Sequence, residues 1–83
     1  MHEPTATGIL GIQRAVAVAS PSAWRDGIVI DADDRGIVVA TLAGEVLRLA
    51  SAPTTRIGDP VAFHPVAQIL AAGGVWQPAR RIG

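Results

Sequence analysis

The chain has 83 residues, no cysteine, no lysine and a formal net charge of zero. Hydrophobic residues make up 49% and charged residues 17%, against about 25% charged in ordinary globular domains. This excludes a disordered chain, a disulfide-stapled scaffold and a cysteine-held metal site, and it argues against a nucleic-acid binder that works by bulk charge.

Taken in chain order, residues 1–7 carry Pro4 and small polar side chains and read as an N-terminal arm. Over 8–20, Leu10, Ile12, Val16 and Val18 fall on one parity and glycine, glutamine and alanine on the other. That period of two predicts a strand or a bent pair of strands. A loop over 20–27 follows, punctuated by Pro21 and Gly27. Three β-branched runs come next, at 27–32, 36–42 and 45–50. Asp33-Asp34-Arg35-Gly36 makes the first turn, with glycine placed for positive φ, and Ala43-Gly44 stands where a two-residue hairpin loop would. The three runs predict an antiparallel meander.

The middle run is apolar on both parities, with Ile37, Val39 and Thr41 on one side and Val38, Ala40 and Leu42 on the other. A strand without a polar face is covered on both faces, so a partner subunit or the N-terminal segment is expected over its outer side. After a loop at 51–58, Gly58-Asp59-Pro60 leads into a strand at 61–64. Residues 65–72 allow two readings. Pro65 could open a short helix, or Gly73-Gly74 could join strands 66–71 and 75–79 in a hairpin; the hairpin is preferred because a barrel needs a closing pair. Residues 80–83 read as a C-terminal tail, leaving 8–79 as a single domain.

Five or six short strands at this spacing predict an all-β fold, a small antiparallel barrel. The order of strands and turns over 27–64 is similar to that of OB-type and SH3-like barrels. Many unrelated barrels share it, and fold alone does not fix function.

The residues that could carry chemistry are few. Asp31, Asp33 and Asp34 are the densest acidic group, but the spacing of a calcium loop is absent, and a solvated hairpin tip accounts for them. His64 is the one histidine within the ordered part; Ser20, Ser22 and Ser51 lack a nucleophile-elbow pattern. His64 is therefore read as a surface or interface histidine, and the chain as a non-enzyme without cofactor or metal. No phosphate-cradling glycine loop occurs. The arginines at 25, 48, 56, 80 and 81, with Trp24 and Trp76 as stacking platforms, define an alternative function: a barrel that binds single-stranded nucleic acid. Seven acidic residues oppose it.

A core this small commonly relies on disulfides, metals or oligomerisation, and here the last remains. The leading expectation is a self-associating assembly or interaction module, a dimerisation domain or a building block of a larger particle such as a phage virion. The interface candidates are Trp24, Val38, Val39, Phe63 and Trp76. With no signal-peptide pattern and no membrane-spanning stretch, a cytoplasmic or virion-associated location is expected.

Overall fold

The computed structural model describes residues 5–6, 10–51 and 55–82, with the backbone alone described at Thr5, Ala6 and Ser51. The expected meander is present as β2 (Arg25–Asp33), β3 (Gly36–Thr41) and β4 (Val46–Ser51), following a two-residue β1 (Thr5–Ala6). Asp33 builds the β2–β3 turn: its Oδ1 accepts from the Arg35 and Gly36 N–H groups at 2.8 and 3.2 Å. Gly36 sits at φ +154°, where a Cβ would collide with the Leu49 carbonyl oxygen, so the turn demands glycine. The β3–β4 loop is longer than the two-residue turn expected at 43–44. Thr41 closes it instead, accepting from the Glu45 N–H on its hydroxyl at 3.0 Å while its own N–H donates to the Glu45 carbonyl at 2.8 Å.

Three further strands, β5 (Pro60–His64), β6 (Ile69–Ala72) and β7 (Val75–Arg81), complete a closed six-stranded antiparallel barrel in the order β7-β4-β3-β2-β5-β6, with β6 returning to β7. The Gly-Asp-Pro segment acts as a turn. Asp59 Oδ2 accepts from the Arg56 N–H at 2.8 Å, and the Gly58 N–H and Asp59 carbonyl pair with Val29 at 2.7 and 3.0 Å.

The hairpin reading of the C-terminal region holds, with Gly73 and Gly74 at φ +58° and +80°. A helix over 65–72 does not form. The Gln68 N–H donates to the His64 carbonyl at 2.8 Å, a single turn that ends where Gln68 takes φ +58°. Nor does the chain leave the sheet at 80. Residues 75–78 pair with β6 and residues 79–81 with β4, so β7 belongs to both and its last residues close the barrel. Pro78, which has no N–H to donate, stands where the partner strand changes.

The strand expected over 8–20 is instead a helix, α1 (Gly11–Ala19), followed by a 3-10 turn at Pro21–Ala23. Ala15, Ala17 and Ala19 are strong helix formers. Gln13, Arg14, Val16 and Ala17, at helical spacing, are the residues of α1 that are at least half-buried, while Ile12 and Val18 of the apparent period-two stripe are exposed. Gln13 Oε1 also accepts from the Leu10 N–H at 2.8 Å, which ties down a free donor at the helix start. Of the arm expected at 1–7, Thr5 and Ala6 pair in parallel with Val75 and Trp76; the rest lies outside the described residues.

Two apolar clusters result. Alternate residues of the strands, including Val29, Ile37, Val39, Leu49, Phe63 and Leu70, fill the barrel. Ala17, Ala67 and Ile69, with Val16, Trp24 and Trp76 against them, form a second cluster beneath α1.

Candidate interaction surface

The five interface candidates separate into three environments. Val39 and Phe63 are 0% and 2% exposed. Both point into the barrel by strand alternation, and this corrects their assignment to an interface: side chains in the core have no surface to offer. Trp24 and Trp76 are half-buried and meet each other, ring centroids 5.3 Å apart and tilted by 52°. They pack beneath α1 against Ala17, Ala67 and Ile69, with Trp76 on the outer side of β7. Val38 alone of the five lies on the outer face of β2–β4, half-buried.

His64 is likewise corrected from a surface residue to a buried one, with 0% exposure. Its Nδ1 accepts from the Ala67 N–H at 3.0 Å, and its Nε2 lies 2.9 Å from the Ser20 carbonyl oxygen. A backbone N–H can only donate, so Nδ1 carries no proton and Nε2–H donates to Ser20. The Trp24 ring meets the imidazole edge-on at 5.1 Å. Ser20 does reach His64, but through its carbonyl, not its hydroxyl. Both ring nitrogens are engaged in holding the segment after α1 against the end of β5.

The acidic group is distributed along the β2–β3 hairpin. Asp33 builds the turn, and Asp31 Oδ1 accepts from the Ala32 N–H at 2.9 Å. Among the described residues, no three histidines, cysteines or carboxylates gather in a way that could hold a metal ion.

The surface that remains is the outside of β2, β3 and β4. Register places Val46 beside Ala40, Ala40 beside Ile28 and Ile28 beside Pro60. The result is one row, apolar throughout, that crosses β4, β3, β2 and β5. Ile28 is 45% exposed, Val46 62% and Leu42, at the end of β3, 79%. Ile30 is the unpaired residue of a bulge between Val29 and Asp31 and points outward too. The next row along the strands reads Asp31, Val38, Arg48, so a cation and an anion flank a valine. At the other end, Arg25 and Glu45 approach to 3.8 Å as an exposed ion pair, a contact that adds little stability.

Sequence reasoning located this face through Val38, Ala40 and Leu42 but did not single out Ile28, Ile30 or Val46. The signal was present: Ile28 and Ile30 share a parity opposite to Val29, and only one of those faces can fill a barrel.

In comparison with known proteins, the chain matches no family model, no curated protein and no solved structure. Among the described residues, no helix is long and apolar enough to cross a membrane.

Proposed function

We propose that the protein is a non-enzymatic β-barrel module that associates with itself, serving as a dimerisation domain or as a repeating unit of a larger particle such as a virion. The observation that carries this reading is the row Val46–Ala40–Ile28–Pro60, apolar across four strands on the outside of a closed barrel. Single exposed apolar residues are ordinary, but contiguous ones mark interaction sites. The position of His64 supports a non-catalytic role, because both nitrogens already hold backbone groups. The alternative reading, a binder of single-stranded nucleic acid, needs open aromatic platforms. Trp24 and Trp76 are instead packed on each other and beneath α1, which favours the protein–protein reading.

Sedimentation over a micromolar concentration series tests the proposal. Wild-type protein is expected to shift towards dimers or larger species with concentration, and Ile28→Asp to stay monomeric with an unchanged circular dichroism spectrum. A wild-type chain that remains monomeric throughout overturns the reading.

A further inference from the structure

The arrangement of charge around the apolar row specifies how two copies meet, an inference that rests on the self-association reading above. The geometry points to a symmetric dimer in which the outer faces of β2, β3 and β4 pack together about a two-fold axis running along β3, with Asp31 of each copy facing Arg48 of the other.

The register carries this. Asp31 and Arg48 lie in one row on either side of Val38, on β2 and β4 respectively, each one strand spacing of about 4.8 Å from β3. A two-fold axis along β3 exchanges the β2 side of one copy with the β4 side of the other. It therefore sets Asp31 over the partner's Arg48 and Arg48 over the partner's Asp31, two ion pairs from one rule of symmetry. The same rotation sets Ile28 over the partner's Val46, and brings Ala40 onto its own counterpart at the axis. Val38, two residues along β3, meets its own counterpart as well, so apolar side chains line the axis while Ile28 and Val46 flank it. Such an interface is self-complementary and closes at two subunits.

The competing two-fold axis, set across the strands, fails on charge. It stacks β2 on β2 in reversed direction. Asp31 then faces the partner's apolar Ile28 or, with the axis on the apolar row, its acidic Asp26, which lies at the exposed start of β2. A carboxylate set on isoleucine or on a second carboxylate opposes association. Aligned packing of the two sheets, with the usual offset of about 30°, meets neither penalty.

The test exchanges the charges. Asp31→Arg alone places arginine opposite Arg48, and Arg48→Asp alone places aspartate opposite Asp31. Each variant is expected to weaken its own self-association by at least about tenfold, as like charges across an interface do. An equimolar mixture of the two is expected to regain wild-type affinity, because in the mixed dimer both facing pairs are again opposite in sign. Sedimentation of each variant and of the mixture, with circular dichroism as the folding control, reads the result. Because Asp31 also accepts from the Ala32 N–H, the neutral pair Asp31→Asn/Arg48→Gln provides a second readout. Its dimer should lose the salt dependence that the wild-type dimer shows. Self-association of the wild type with no recovery in the mixture, and with unchanged salt dependence in the neutral pair, overturns this geometry and leaves self-association standing. A monomeric wild type overturns both.

Discussion

Two apolar surfaces leave the barrel, and the chain treats them differently. Beside the outer side of β6 and β7, α1 covers Trp24, Trp76, Ala67 and Ile69. On the outer side of β2–β4, Ile28, Leu42 and Val46 stay open to solvent. Both surfaces are built from residues of similar hydrophobicity, so composition does not separate them. What separates them is whether a further segment of the chain is laid across. Among the described residues, α1 is laid on the outer side of β6 and β7, and no helix lies over the outer side of β2–β4. An apolar excess in a short chain can therefore mean either a core completed from within or a face left for another molecule, and only topology distinguishes the two.

The sharpest way to break this comparison is to place one charge on either side of the same sheet. Val39→Asp puts a carboxylate into the barrel interior at a site with 0% exposure, without a partner. The cost is expected to exceed about 4 kcal/mol, enough to unfold a small domain. Val46→Asp, on the outside of the neighbouring strand, is expected to change the stability of the single chain by no more than about 0.5 kcal/mol while it weakens self-association. Chemical denaturation of both variants is the measurement. Equal losses would show that the outer face is part of a folded core.

The covered side gives the next effect. His64→Phe keeps an aromatic ring against Trp24 but leaves the Ala67 N–H and the Ser20 carbonyl without their partner. An unsatisfied buried polar group costs about 1–3 kcal/mol, so a loss of about 2–4 kcal/mol is expected. By thermal unfolding this is a fall of at least about 8 °C in Tm. A His64→Phe variant as stable as wild type would mean that the two hydrogen bonds contribute nothing.

How far the sequence reached depends on which interactions decide each element. The meander was legible because its signals are local: β-branched runs, a turn from Asp33 to Gly36, and a loop around Ala43-Gly44 that differed only in length. The Gly73-Gly74 hairpin was legible for the same reason. The helix was not. Over 10–18 the stripe of Leu10, Ile12, Val16 and Val18 fits period two, and only contact with Ala67 and Ile69, about fifty residues away along the chain, selects the helical face of Gln13, Val16 and Ala17. The fate of Arg80 and Arg81 was hidden likewise, because their pairing with Ala50 and Leu49 closes the barrel across the whole chain. At the candidate surface, the two-sided apolarity of β3 was visible, but which of its faces filled the barrel required the register. Trp24 and Trp76 show the same limit: residue type marked them as anchors, and only their 5.3 Å approach beneath α1 shows what they anchor.

The smallest expected effect isolates the helix as a cover. Gln13 of α1 binds in both directions: its Oε1 accepts from the Leu10 N–H, and its Nε2 donates to the Ala67 carbonyl at 3.1 Å. Gln13→Ala removes both contacts and leaves the helix propensity as good or better. Any loss therefore reports the tether, not the helix itself. Each partly exposed hydrogen bond contributes about 0.5–1.5 kcal/mol, so a decrease of about 1–2 kcal/mol is expected. Its distribution matters more than its size. Hydrogen exchange should quicken at the amides of α1 and at Ala67 while the β2–β3–β4 ladder keeps its protection, because local opening of a cover leaves the closed barrel intact. If protection fell equally across all strands, α1 would be an integral part of the barrel's cooperative unit. The covered side and the open face would then no longer be separable halves of the design.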